Sequence, residues 1–206
     1  MGKMVFIGKN IGWESNYRKM RIISGKFKNK KLFFSKNFKT RPLKDRVREN
    51  IFNILDHSKN ISINLKNSNV LDIYAGMGSF GLECISRGAK KIFYIENDSD
   101  ALLNLKKNIA SLKIENQSKI LAIDAIKFFQ DIKLDNKFNI IFLDPPFKEN
   151  NIFKIFEILK EKKILNNKHI VILHRERNSQ KDFLNKIKII QNKIYGRSEI
   201  FFLKLF

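Results

Sequence analysis

From Asn69 onward, short apolar runs alternate with stretches of helical periodicity. The segments "NVLDIY" (69–74), "KKIFYIE" (90–96), "KILAI" (119–123), "FNIIFL" (138–143) and "HIVILH" (169–174) have the length and content of buried strands. Between them, "FGLECISRGA" (80–89), Asp98–Leu112, a short stretch after Asp124 and about Asn151–Lys162 read as helices. Asp98 opens its helix as an Asx cap, since its carboxylate can accept from the unpaired N–H groups of the first turn. The segment "IKIIQNKIYGRSEIFFLKLF" (187–206) predicts a closing β-hairpin with its turn near Gly196. Strands alternating with helices imply an α/β fold, a mostly parallel sheet covered on both faces. This unit is expected to span residues 69–206.

Residues 20–68 depart from that rhythm. "MRIISGKFKNKKLFF" (20–34) predicts a hairpin turning around Lys28–Lys30. "LKDRVRENIFNIL" (43–55) places apolar residues at 43, 47, 51, 54 and 55, the spacing of an amphipathic helix. Together they read as a small extension on the α/β unit. Residues 1–19 show no pattern and stand as an N-terminal arm.

Composition narrows the class. No apolar run approaches the ~20 residues that span a bilayer, and the first residues lack the h-region of a secretory signal. Cys84 is the single cysteine, which excludes an internal disulfide and a cysteine-based zinc cluster. A cytoplasmic protein without a metal or membrane partner is expected. The formal net charge is +21, carried by 32 Lys and 9 Arg. Base composition of an AT-rich gene can produce such lysine excess, so the distribution is more informative than the total. Residues 1–68 hold 17 Lys and Arg against four acids, a net +13, whereas the other 138 residues carry +8. That asymmetry predicts a basic face on residues 20–68. Lys26, Lys28, Lys30 and Lys31 are its candidate phosphate contacts, with Phe27, Phe33, Phe34 and Phe38 interleaved, while Arg41, Arg46 and Arg48 with Asp45 and Glu49 read first as surface ion pairs.

The chemistry begins at "LDIYAGMGSFG" (71–81). Gly76, Gly78 and Gly81 form G-x-G-x-x-G between a strand and a helix, and Glu96 follows Gly76 by 20 residues at the end of the next strand. This spacing suits a nucleoside-bearing cofactor whose ribose hydroxyls meet the acid, and by itself fits NAD and S-adenosylmethionine (SAM) equally. Asp72 favours SAM, because a carboxylate just before the loop repels a pyrophosphate and attracts a sulfonium and an ammonium. It can equally cap the turn that follows. Asp124 ends the third strand, where it can accept from an adenine amine, cap the next helix, or both.

"FLDPPF" (142–147) ends the fourth strand on Asp144, Pro145, Pro146 and Phe147. The amine of a nucleobase is a poor nucleophile because its lone pair is delocalised into the ring. Two acceptors on its two N–H groups, the Asp144 side chain and the Pro145 carbonyl, would pyramidalise the nitrogen and free that lone pair. The prolines restrict the backbone and preorganise the corner, and Phe147 can stack on a base taken out of its helix. The methylated amine is cationic and acidic, so no strong base is needed, and His57 and His174 are expected to be structural.

D-P-P-F after a strand resembles the amine-directed nucleic-acid methyltransferases. With "MRIISGKFKNKKL" (20–32), "TRPLKDRVRENIFNIL" (40–55), "LDIYAGMGSFGLECISRGA" (71–89) and "IEND" (95–98), the chain more closely resembles the RsmD family of bacterial 16S rRNA guanine-N2 methyltransferases over residues 20–206. The resemblance implies a Rossmann-like class I methyltransferase fold, SAM as methyl donor, and N2 of guanine 966 in 16S rRNA as target. It also implies a monomer acting on an assembling 30S subunit. Carried onto this chain, the SAM pocket is Asp72, Tyr74, Ala75, Gly76, Gly78, Glu96, Asn97, Asp124, Ala125 and Asp144. The segment "TRP-x-x-DRVRE" would lie over that pocket, bringing Arg41 or Arg46 near the ligand carboxylate or the RNA backbone and Arg48 among the RNA contacts, and "HRER" (174–177) would follow the fifth strand. An adenine-N6 methyltransferase, a NAD-binding oxidoreductase and a non-catalytic RNA-binding protein remain the alternatives.

Overall fold

The computed structural model describes residues 20–34, 43–131, 136–146, 149, 151–179, 184–185 and 187–205. The N-terminal arm (1–19), Arg41, Phe38 and Phe147 lie outside these residues. Seven strands run β1 Asn69–Ile73, β2 Lys91–Glu96, β3 Ser118–Ala122, β4 Phe138–Leu143, β5 Leu165–Glu176, β6 Lys188–Tyr195 and β7 Ser198–Lys204. The helices are α1 Asp45–His57, α2 Ser79–Ser86, α3 Ser99–Leu112, α4 Ala125–Asp131 and α5 Ile152–Glu161. The strands form one sheet in the order β3-β2-β1-β4-β5-β7-β6. β1 to β5 pair in parallel, and β7 lies antiparallel between β5 and β6.

Alternation along the strands assigns two cores. Val70, Ile92, Tyr94, Ile140, Phe142, Ile172 and Phe202 face one side, with apolar residues of α1, α2 and α3 packed on them. Leu71, Ile73, Phe93, Ile141, Leu143, Leu173 and Phe201 face the other, under α4 and α5. Both faces are covered, which is why the central strands read as continuous apolar runs rather than alternating ones.

Residues 20–68 belong to the first of these layers. Met20, Ile22, Leu32, Val47, Ile51 and Phe52 share one apolar cluster with the sheet. Phe52 stacks on Phe80, and Phe80 on Phe142 at 4.0 Å between centroids. The expected hairpin forms as a short one: Arg21 bridges Lys31, Leu32 N–H donates to the Met20 carbonyl (2.8 Å) and Ile22 N–H to the Lys30 carbonyl (3.0 Å), with the turn at 26–29 overlapping the expected Lys28–Lys30. Its turn is fastened to α2. Glu83 accepts from the Ile23 and Ser24 N–H groups (2.7 and 2.9 Å), and the Ser86 carbonyl accepts from Lys26 N–H at 2.7 Å. Gly25 is held there at φ +79, where a Cβ would fall 2.0 Å from the Ser86 carbonyl oxygen. Beyond the short ladder, the backbone of residues 23–27 bonds the helix instead of a facing strand.

Two expectations are corrected. Arg48 is fully buried and cannot contact RNA. Its guanidinium bonds Asp45 (3.0 Å) and the Arg21 carbonyl (2.5 Å), so it anchors the N-terminal segment onto α1. "HRER" does not follow the fifth strand but largely lies inside it, because β5 stays paired to β7 through Glu176–Ser198.

Candidate active site

The carboxyl ends of β1, β2, β3 and β4 meet at one edge of the sheet, and the acids picked out by sequence are distributed along it. Asp72 sits in β1 on the face covered by α1, α2 and α3, 1 % exposed, and its Oδ2 accepts the Gly81 N–H at 3.0 Å. It therefore does what the turn-capping alternative required: it pins the start of α2 to β1. Burial pushes its carboxyl well above the ordinary value, and the charges of Asp144 and Glu96 push it further.

The loop after β1 turns through left-handed backbone at Tyr74 (φ 62), Gly76 (φ 56) and Gly78 (φ 84). A Cβ on Gly81 would come within 2.4 Å of Tyr94, and one on Gly78 within 2.4 Å of Leu105, so these two glycines let α2 and the loop close onto β2 and α3. Gly76 differs: a Cβ there would meet nothing within 4 Å, so the loop backbone fronts open space at this point. The loop is tied to β2 by Ala75 N–H to the Ile95 carbonyl (3.0 Å) and Gly76 N–H to Glu96 Oε2 (2.7 Å). Glu96 Oε1 receives the N–H groups of Asn97 and Asp98.

Asp124 caps α4, its Oδ1 accepting from Ile126 (2.9 Å) and Lys127 (3.1 Å), with Ala125 buried beside it. Asp144 is half-buried, and its N–H donates to the Ile73 carbonyl at 3.3 Å, which fastens the Asp144–Pro145–Pro146 corner against the end of β1. Pro145 is buried and Pro146 exposed.

Four residues that the sequence analysis did not place in the site, His174, Arg175, Glu149 and Asn108, complete the constellation. His174 Nδ1 lies 2.6 Å from Asp144 Oδ1. Arg175 donates to the Pro146 carbonyl at 3.4 Å. The Tyr74 hydroxyl donates to Glu149 at 3.3 Å, across from the glycine loop to the segment after the prolines; burial and Glu149 push its pKa up, so it stays a protonated donor. Asn108, on α3, donates to the Met77 carbonyl inside the glycine loop (3.1 Å) while accepting the Phe33 N–H (2.7 Å). No local signal marks these residues, because each acts through a strand register or a helix approach set far away in sequence.

On the basic segment, Lys26, Lys28, Lys30, Lys31 and Arg46 are exposed. Phe27 and Phe34 pack against the core, whereas Phe33 is 51 % exposed. A cleft of about 510 Å³ lined by Ile61, Lys168, Lys188, Ile189 and Lys204 opens at the opposite end of the sheet and shares no residue with the constellation. Among the described residues, no helix is long and apolar enough to cross a membrane.

The antiparallel β7 distinguishes this sheet from the all-parallel 3-2-1-4-5-6 order of dinucleotide-binding folds. Its architecture is that of a Rossmann-like methyltransferase. The solved structure "Putative methyltransferase yhhF from Escherichia coli" superposes with a TM-score of 0.74 at 27% identity, covering 90% of this chain and 97% of that one. A family model described as "Conserved hypothetical protein 95" matches residues 20–204. The "Ribosomal RNA small subunit methyltransferase D" of Buchnera aphidicola (from Acyrthosiphon pisum) is 34% identical over 160 residues, 77% of this chain and 79% of that protein. The protein of the same name from Haemophilus influenzae is 32% identical over 159 residues, again 77% and 79%. The chain belongs to the RsmD family.

Proposed function

We propose that this protein is an rRNA methyltransferase that uses SAM to methylate the exocyclic N2 of a guanine, position 966 of 16S rRNA, as a monomer on the assembling small subunit. The observation that carries the reading is the Asp144–Pro145–Pro146 corner fastened to the end of β1, next to a glycine loop whose open side is at Gly76. The names of the relatives support an rRNA substrate.

The residues present fit SAM. Carboxylates stand at or just past the ends of three successive strands, Glu96, Asp124 and Asp144, and the backbone at Gly76 fronts open space. Such a surface suits a ligand carrying a sulfonium, an ammonium and ribose hydroxyls, and opposes a pyrophosphate. When bound, SAM supplies an electrophilic methyl group. Glu96 would hold the ribose, its two oxygens offering about four acceptor sites of which three are taken by backbone N–H groups. Asp124, Ala125 and Asn97 would frame the adenine side, while Tyr74, Ala75, Gly76 and Gly78 form the wall and Asp72 holds it in place.

Asp144 and the Pro145 carbonyl accept the two N–H groups of the target amine, turning its lone pair out of the ring plane. Phe147 stacks on the base. Catalysis is then positioning plus electrostatics, with the carboxylate stabilising positive charge as it develops on the nitrogen. The exposed Lys26, Lys28, Lys30, Lys31 and Arg46, with Arg41, bind the RNA backbone.

The test is mass mapping of nucleosides in 16S rRNA incubated with the protein and SAM, beside an Asp144→Ala variant. N2-methylguanosine from the wild type, none from the variant, and near-normal SAM binding in both are expected. N6-methyladenosine would redirect the substrate to adenine, and a fully active Asp144→Ala would sink the mechanism.

A further inference from the structure

We propose that His174 is a positioning residue for methyl transfer, fixing the Asp144 carboxylate through one oxygen so that the other is left to accept from the target amine. The inference rests on the function proposed above and deepens it.

The pair follows from strand register. Leu143 pairs with Leu173 across β4 and β5, so one step further Asp144 stands beside His174. Both continue the face that carries Phe142 and Ile172, the face of Asp72. His174 is 7 % exposed, and its Nδ1 is 2.6 Å from Asp144 Oδ1. A carboxylate only accepts, so the proton of this bond sits on the imidazole. Among the described residues, Asp144 Oδ2 accepts no hydrogen bond. The division of labour is therefore in place: Oδ1 is held from the protein side, and Oδ2 is available to substrate. Burial pulls the His174 pKa down, but the Asp144 charge and hydrogen bond outweigh it and hold it above the ordinary histidine value, with Arg175 opposing.

The corner is gripped a second time from the same strand. Arg175, on the opposite face and 3 % exposed, donates to the Pro146 carbonyl. Two consecutive residues of β5 thus hold the side chain of Asp144 and the backbone two residues on. A flexible surface carboxylate would lose most of its effect, because small misplacements at a reacting centre cost up to ~100-fold in rate.

His174→Leu keeps volume and removes the donor. His174→Asn places an amide N–H near the Nδ1 position. Leu is expected to lower kcat about 30-fold with the SAM dissociation constant and the KM for RNA within about twofold, and Asn to recover most of that loss. Wild-type kcat in the Leu variant, or equal losses in Leu and Asn, would overturn the role. If the Leu variant does not fold, the Asn variant and NMR of nitrogen-15-labelled histidine decide. A hydrogen-bonded Nδ1 proton of His174 should be present in the wild type and lost in Asp144→Ala, and its absence from the wild type overturns the proposal. Asp144→Ala run in the same assay separates the failures. An active Asp144→Ala removes the proposed function, whereas an inactive one beside a fully active Leu variant removes only His174.

Discussion

Glu96 Oε2 accepts the Gly76 backbone N–H at 2.7 Å, joining two motifs 20 residues apart into one wall of the pocket. Its other oxygen receives Asn97 and Asp98, so a single carboxylate shapes the loop at the point where Gly76 fronts open space. Glu96→Ala releases three N–H groups and removes an acceptor for the ligand. Hydrogen bonds to a charged group contribute ~1.5–3 kcal/mol, so calorimetry should show SAM affinity reduced ~10- to 100-fold. Glu96→Gln, which keeps one acceptor oxygen, should fall between. Unchanged affinity in the Ala variant would remove Glu96 from the site.

Asp72 gives a prediction for pH. Its folded carboxyl titrates well above the ordinary value, chiefly from burial. Ionising it is therefore less favourable in the folded chain than in the unfolded one. The stability linked to its proton is complete at pH below the unfolded value and is lost as pH rises through the folded one. Asp72→Asn keeps an acceptor for Gly81 N–H and cannot ionise. Urea unfolding of the pair should show the variant gaining on the wild type as pH rises above the ordinary carboxylate range. A constant difference from acid to neutral pH would contradict this.

Two glycines of the motif, Gly81 and Gly76, separate by function. Gly81→Ala drives a Cβ to 2.4 Å from the buried Tyr94 ring. Overpacking of this kind costs ~1–3 kcal/mol, read as a lower denaturation midpoint. Gly76→Ala has room for its Cβ and adds only the ~1–2 kcal/mol of a left-handed non-glycine residue. Its larger effect should be on SAM affinity, because the methyl enters the space in front of the loop. Equal losses of binding in two folded variants would refute the distinction.

Charge on the N-terminal segment should divide in the same way. Lys28→Ala and Lys30→Ala, both at exposed positions, should each lower the slope of log affinity for RNA against log salt by ~1. Arg48→Ala should leave that slope unchanged and destabilise the fold by ~2–4 kcal/mol, through a cavity and the lost partner of the Arg21 carbonyl. An altered salt slope in a folded Arg48→Ala would return this residue to the interface.

By itself the sequence determined the elements of the α/β unit and the order in which its acids fall along the chain. Asp72 fell inside β1, Glu96 ended β2, Asp124 and Asp144 followed β3 and β4, and Asp98 capped α3 at Ala101 N–H as expected. These features are local: apolar runs, caps and glycine turns are dictated by residues a few positions apart. Tertiary structure alone decided the rest. Arg48 had the sequence signature of a surface charge, and its burial follows from where α1 lands on the sheet. The hairpin of residues 20–34 stayed short because Glu83 and Ser86, about 60 residues away, hold the backbone of its turn. His174 looked structural until the register of β5 against β4 set it beside Asp144. A register between distant strands is chosen by the packing of the whole sheet, so no window of sequence contains it.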